Sequence, residues 1–260
     1  MFSISTYFVW FILFSFLGWV WETIFCSFRT HHFQNRGFLF GPICPIYGSS
    51  AILFIAAMSV FPEDLPNWAL FLIFAAGSAV VEFATSWYME KRFHARWWDY
   101  SNEPLNIQGR ICLPATIGFG AAGLIGVKYL FPLLARISAM VPSVAFEISA
   151  LIFMGMLGAD FALTEAGLSQ LLKRIEEIDA EYTRRGEEFY QTVTGIPQTV
   201  SGKVREINAS LSSSVQDSFD RLNGMQRTVL NRIQSFRPKE KAPSFHKAGN
   251  RLKEFLKSKR

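Results

Sequence analysis

Six charged side chains stand inside or beside long apolar runs of this chain: Glu22, Arg36, Glu82, Glu90, Asp99 and Arg110. An ionisable group inside a membrane span is costly, faces protein or water, and by default marks a functional site. Carboxylates placed there bind or relay cations. Arginines placed there balance them or hold anionic groups. The six would line one polar substrate or ion pocket facing the cytoplasm. A buried, unpaired carboxyl favours its neutral form, so Glu22 or Glu82 could also carry a proton. The competing role is structural, with carboxylates and arginines neutralising one another and pinning two loops against the bundle. Asp160 is a further intramembrane carboxylate toward the same side, and Glu147 lies near the outer end of its run.

Catalytic motifs are missing. The string Gly195-Ile-Pro-Gln-Thr-Val-Ser-Gly-Lys203 has the wrong glycine spacing for a phosphate-cradling loop and continues into Val204, not Ser or Thr. Neither G-x-S-x-G nor H-E-x-x-H occurs. The chain is therefore expected not to be an enzyme and to need no cofactor, and any ATP energy would come from a partner. Cys26, Cys44, Cys112, His31, His32 and His94 match no zinc spacing, so no metal site is expected. Three cysteines are too few for a disulfide scaffold, and thiols on the cytoplasmic side are expected to stay reduced.

The elements that carry these groups are apolar. Among 260 residues, 50% are hydrophobic, 26 are phenylalanine and only 18% are charged, against about 25% charged in soluble domains. Residues 1–164 hold eight Lys/Arg against nine Asp/Glu, and residues 165–260 hold eighteen against twelve. A spanning helix needs about 20 mostly apolar residues. Five runs come close: Ile4 to Phe28, Pro45 to Phe61, Asn67 to Tyr88, Ile111 to Leu134, and Ser143 to Leu163. The second is the shortest and opens in a Pro/Gly-rich stretch. The first has no preceding Lys or Arg and is too long for a signal-peptide core, so it reads as a permanent helix. The fold class is all-α: a polytopic membrane helix bundle of about five transmembrane helices, residues 1–164, with a long helical cytoplasmic tail.

Arg29 and Arg36 follow the first run, and Lys91, Arg92, Arg96 and Arg110 follow the third. Basic loops stay cytoplasmic, which puts the N-terminus outside and the C-terminus inside. Lys128 and Arg136 weakly oppose this pattern. Both inner loops are unusual. Residues 29–48 are apolar yet broken by Gly37, Gly41, Pro42, Pro45 and Gly48. Broken backbone at membrane depth must be buried in protein or line a wet cavity, where its polar groups can bind ions or substrates. Residues 90–112 carry Trp97, Trp98 and Tyr100, suited to an interface. Asp99 and Arg110 could pair with groups of the first loop. Gly118, Ala122 and Gly126, with Gly155, Ala159, Ala75 and Ala79, form small-residue spacings that suit close helix packing within the chain.

In the tail, residues 165–236 read as helical and coiled. One helix is expected from Glu165 to Val193, broken by Gly195 and Pro197. A second seam runs from Val200 to Phe236 in steps of three and four. A wet seam needs a partner, either an intrachain hairpin or a homo-oligomer through the tail, with the membrane surface second. Residues 237–260 form a basic tail whose end, Phe245, Leu252, Phe255 and Leu256 among lysines and arginines, suits anionic lipid. No motif supports nucleic-acid binding.

Gly18-Trp19 with Glu22, the run Asn35 to Gly48, Met89-Glu90, Trp97 to Ser101 and Asn106 to Cys112 resemble the CmpB-like family of ABC-transporter type IV permeases, multi-pass membrane proteins of bacteria. The likeness covers roughly residues 5–165. It implies a permease subunit in the bacterial inner membrane working with a separate ATPase subunit, and it carries no substrate. The leading expectation is thus a transport component embedded in the lipid bilayer. The alternative is a non-transporting scaffold whose coiled tail recruits a cytoplasmic partner. A lipid-headgroup enzyme ranks last for want of a nucleophile–base motif.

Overall fold

The computed structural model describes residues 2–31, 35–62, 64–193, 220–238 and 245–258. Its elements are α1 (Ile4–Thr30), α2 (Pro45–Met58), α3 (Asn67–Phe93), β1 (Ala95–Arg96), α4 (Leu113–Ile125), a π-helical turn (Gly126–Leu130), α5 (Phe131–Met140), α6 (Ser143–Val193), α7 (Gly224–Arg232), β2 (Ser235–Phe236) and α8 (Phe245–Ser258). They divide into two compact units. One comprises Met1–Tyr88 and Trp97–Thr164, the other Met89–Arg96 and Glu165–Arg260.

Among the described residues, four helical stretches are long and apolar enough to cross a membrane: Ile4–Phe28, Asn67–Phe93, Leu113–Met140 and Ser143–Glu181. Trp21, Phe28, Val80, Leu133, Leu151 and Met154 point outward, away from any core. Exposed apolar surface on this scale belongs in lipid, and the chain is a membrane protein. The second apolar run differs from the rest. Helix α2 has 14 residues, about 21 Å of rise, short of the ~30 Å hydrocarbon core. Its proline-started helix is preceded by irregular backbone that lies along α1. Arg36 Nε donates to Cys26 Sγ (3.2 Å), Trp19 Nε1 donates to Asn35 Oδ1 (2.9 Å), and Cys44 N donates to the Ser15 carbonyl (2.9 Å). Cys26 to Ser15 is about 16 Å of helix axis. The broken segment thus follows α1 back to its middle before α2 begins.

Two glycines make that approach possible. A Cβ on Gly18 would stand 2.2 Å from the Tyr47 ring, and one on Gly48 would stand 2.2 Å from Ser15 Oγ and 2.3 Å from the Phe11 carbonyl. Elsewhere α3 receives Phe54 of α2 at Gly77, and α4 closes on Phe71, Phe74 and Ala75 of α3 through Gly120 and Gly123. Of the small-residue spacings, Ala75 does meet Gly120 closely, whereas Gly118 and Gly155 have nothing within 4 Å. The π turn precedes Pro132, which lacks the N–H that Lys128 O would accept, and a wider turn absorbs that loss. Trp10 Nε1 donates to Ser138 Oγ (3.1 Å), and Phe14 meets Phe131 edge-on, which ties α1 to α5.

Helix α6 runs 51 residues without interruption. The expected boundary between a fifth span and a first tail helix does not exist in the backbone. Composition changes there from apolar to polar, but no proline falls between residues 143 and 193, so the hydrogen-bond ladder continues. In the second unit Leu168, Leu171, Ile175 and Ile178 of α6 are buried, as are Leu222, Val229, Leu230, Ile233, Phe236, Phe245 and Leu252. Strands β1 and β2 pair antiparallel, Ala95 with Phe236 and Arg96 with Ser235.

One reading of the tail is corrected. The seam from Val200 lies outside the described residues up to 219, and from 220 it is not one helix. Asn223 starts α7 with a capping box to Gln226, and the chain leaves helical geometry at Ile233 to form β2. The basic end is partly packed, while the side chains of Phe255 and Leu256 lie outside the described residues. Phe245, Ala248 and Leu252 are buried, and Lys253 Nζ donates to the Ile233 and Gln234 carbonyls.

Gly48→Ala is expected to destabilise the detergent-solubilised protein by about 1–3 kcal/mol, the usual cost of overpacking, because backbone blocks the added methyl. Gly118→Ala, in open space, should be neutral or slightly stabilising. Paired thermal-unfolding curves check both.

Candidate functional site

Two carboxylates in the first unit are each held by a phenol. Tyr47 Oη donates to Glu22 Oε1 (2.6 Å), and Tyr100 Oη donates to Glu82 Oε1 (2.9 Å). Glu22 sits on α1 and Glu82 on α3, while the phenols come from the start of α2 and the loop after β1. Glu82 and Tyr100 lie within electrostatic reach of Glu22, and Tyr47 within reach of Tyr100. The four groups thus form one cluster. The other oxygen of Glu22 accepts from Cys26 Sγ (3.7 Å), the thiol that Arg36 Nε contacts. Glu82 is 6% exposed, and its Oε2 is buried with no hydrogen-bond partner. Burial, then the Glu82 and Glu22 carboxylates, push the Tyr100 phenol well above its ordinary range. It therefore keeps its proton and stays a donor.

The loop from Trp97 to Cys112 is shaped to deliver Tyr100. Gln108 and Gly109 both take left-handed backbone, φ 54 and 68. That turn lets Tyr100 N donate to the Gly109 carbonyl (2.8 Å) and brings Ile107 opposite Ile111. Asn106 stitches the loop: its Nδ2 donates to the Ser101 and Glu103 carbonyls, and its Oδ1 accepts from Gly109 N (3.0 Å). Trp98 Nε1 donates to the Arg110 carbonyl (3.0 Å).

A second carboxylate device holds the first loop. Asp160 of α6 accepts from Phe40 N (2.8 Å) and Gly41 N (2.7 Å), and Thr164 Oγ1 donates to it (3.2 Å). Phe38 packs on Trp97 and Phe161, and Leu39 is fully buried. Consecutive backbone N–H groups need an acceptor where water is excluded, and Asp160 supplies it. A Cβ on Gly41 would meet Asp160 Oδ2 at 2.7 Å.

Of the six residues singled out from sequence, Glu22 and Glu82 share the cluster, and Arg36 stands one thiol away from it. Glu90 lies in the second unit, in an ion pair with Arg96 (2.6 Å). Asp99 accepts from the backbone and side chain of Ser101. Arg110 donates to Gln108 and lies over the Phe83 ring, 5.3 Å from its centre. Among the described residues no group of three His, Cys, Asp or Glu side chains converges as a metal would require, and no cysteine is in a disulfide. His32 lies outside the described residues. Sequence reasoning did not assign Tyr47 and Tyr100 as carboxylate donors. The signal was a phenol in each of the two inner loops, residues 29–48 and 90–112, and only the fold shows which carboxylate each one meets.

Asp160→Ala removes the acceptor of Gly41 N and one of the two acceptors of Phe40 N, the other being Thr164 Oγ1 (3.2 Å), at about 1.5–3 kcal/mol for each bond to a charged group. The first loop should loosen, and buried Cys44 should react several-fold faster with a maleimide. Mass spectrometry of the labelled peptides reads this out, and unchanged Cys44 labelling would mean the clasp does not hold the loop.

The sequence profile of the family described as Putative ABC-transporter type IV matches residues 9–165, which takes in both loops, the cluster and Asp160. No curated protein and no solved structure matches the chain. The profile match covers more than half of the sequence, and on that ground the chain belongs to the ABC-transporter type IV family.

Proposed function

We propose that this chain is the permease component of a transporter in a bacterial inner membrane, and that a separate ATPase subunit supplies its energy. It crosses the bilayer five times, with Asn35–Cys44 and α2 together making the second crossing. The N-terminus is outside and the C-terminus cytoplasmic. Three observations support this path. Arg29, Lys91 and Arg92 lie in the last turns of α1 and α3, and Arg36, Arg96 and Arg110 follow those helices, as cytoplasmic basic residues do. The broken segment climbs α1 to Ser15 before α2 starts. The loop after β1 reaches Glu82, about 16 Å back from the end of α3.

The observation that carries the reading is the cluster of Glu22, Tyr47, Glu82 and Tyr100. It joins two phenol-bound carboxylates on two helices that each have the length and apolarity of a span. Intramembrane carboxylates are a functional site by default, and irregular backbone beside them is the usual construction of a transport site. In this reading the pocket is a binding station on the cytoplasmic side, and the chain performs no covalent chemistry. Arg36 balances the charge from the loop, and Asp160 keeps the loop in place.

The scaffold reading has one specific observation in its favour: the residues after Glu165 bury a core of their own. Gentle extraction of the native protein, followed by mass spectrometry of what remains bound, separates the two. A stoichiometric ATPase is the expected result, with turnover at least about tenfold lower in Glu82→Gln if the pocket lies on the transport path. A homo-oligomer with no ATPase would overturn the permease reading in favour of the scaffold.

A further inference from the structure

We infer that Glu82 and Glu22 together bind one exchangeable monovalent cation at the bare Glu82 Oε2, and that a proton fills the place when no other cation does. The inference rests on the pocket reading above, but it does not depend on the ATPase.

Glu82 is buried, and Tyr100 satisfies only one of its oxygens. Among the described residues, the other ionisable groups within its electrostatic reach are Tyr100 and a second carboxylate, Glu22. No basic nitrogen of the described residues makes an ion pair with Glu82, whereas Glu90 on the same helix has Arg96. A lone carboxylate is strongly disfavoured away from water, and a second one nearby adds repulsion. One positive charge removes both costs. A second observation comes from α1. Ser15 Oγ is fully buried against Gly48, next to Tyr47, and has no hydrogen-bond partner; Thr23 Oγ1, beside Glu22, is buried and has none either. Ser15 and Thr23 stand about 12 Å apart along α1, so the binding atom is the bare Glu82 Oε2 itself. Oxygen ligands suit a proton or a hard monovalent ion. Among the described residues no group of three carboxylate, His or Cys side chains converges here as a divalent metal would require.

The groups that face the pair come from every neighbouring element. Tyr47 and Tyr100 donate to it, Cys26 donates to Glu22, Arg36 stands behind that thiol, and Cys44 and Cys112 flank the two phenols. Tyr100 bonds to the charged form of Glu82, so it lowers the cost of releasing the cation without supplying one. The carboxylates therefore hold the one cation as an interacting pair, and its affinity belongs to the pair and not to either residue.

The test is infrared difference spectroscopy of the full chain in lipid nanodiscs, titrated with acid in the presence and absence of sodium chloride, with potassium chloride as the second probe. The expected result is a protonated-carboxyl band that disappears in Glu82→Gln and titrates at higher pH in Tyr100→Phe, with proton affinity raised at least about tenfold when that donor is lost. Competition by sodium or potassium would identify a metal cation as the second occupant, and salt-independence would leave the proton as the cation; both support the inference. A spectrum without any such band and without a salt effect would overturn it. So would a band that survives Glu82→Gln and vanishes only in Glu22→Gln, because the bare oxygen would then not be the binding atom. Monodispersity of each variant in the nanodisc shows that a lost band is not a lost fold. Failure to capture an ATPase would leave this result standing, and a negative titration would leave the ATPase partnership standing.

Discussion

The constraint on which the rest of this structure depends is that backbone N–H and C=O groups cannot go unpaired where water is excluded. Helices meet it locally. The segment from Asn35 to Cys44 cannot, because Gly37, Gly41 and Pro42 keep it irregular. Its polar groups must be met by other elements, and they are. The Ser15 carbonyl takes Cys44 N, and the Asp160 carboxylate takes Phe40 N and Gly41 N. Those bonds fix the segment between α1 and α6. Once it is fixed, Tyr47 falls against Gly18 with its hydroxyl on Glu22. The position of the first carboxylate–phenol pair follows from how the loop backbone is satisfied.

The second pair follows from the same kind of reasoning on a different loop. Residues 97–112 form a small self-bonded unit in which Asn106, Gly109 and Trp98 consume the backbone groups internally. A loop that satisfies itself can reach back toward α3 and present Tyr100 to Glu82. Carboxylates thus serve two purposes in this chain. Asp160 is an acceptor for backbone and is saturated by it. Glu82 keeps one oxygen bare. The same functional group is structural in one place and available in the other, and its neighbours make the difference.

Much of this is legible in the sequence. Lengths of apolar sequence placed the long helices, because twenty-odd residues without breakers leave few alternatives. The glycines and prolines of residues 37–48 announced broken backbone. Buried charges stood out because they are rare in apolar runs. Other features were not legible, for identifiable reasons. The β1–β2 pair joins two-residue strands about 140 positions apart in sequence, and no local pattern encodes such a partner. The boundary near residue 165 was read from composition, which governs what surrounds a helix and not whether the helix continues. The heptad-like steps between Leu222 and Phe236 serve a packed core there, because a capping Asn and a strand interrupt the helix. Which phenol meets which carboxylate depends on the paths of two loops, and those paths are set by long-range hydrogen bonds.

Helix α6 has a mechanical consequence. Its 51 residues form a rod about 77 Å long with no proline in it. Such a rod bends gently but neither stretches nor unwinds without breaking many bonds at once. Asp160 is mounted on this rod, and so are Leu168, Leu171 and Ile175, which are buried beyond it. Asp160 thus sits on backbone that bends only gently, and the irregular segment it holds at Phe40 and Gly41 is anchored to a support that cannot give way locally.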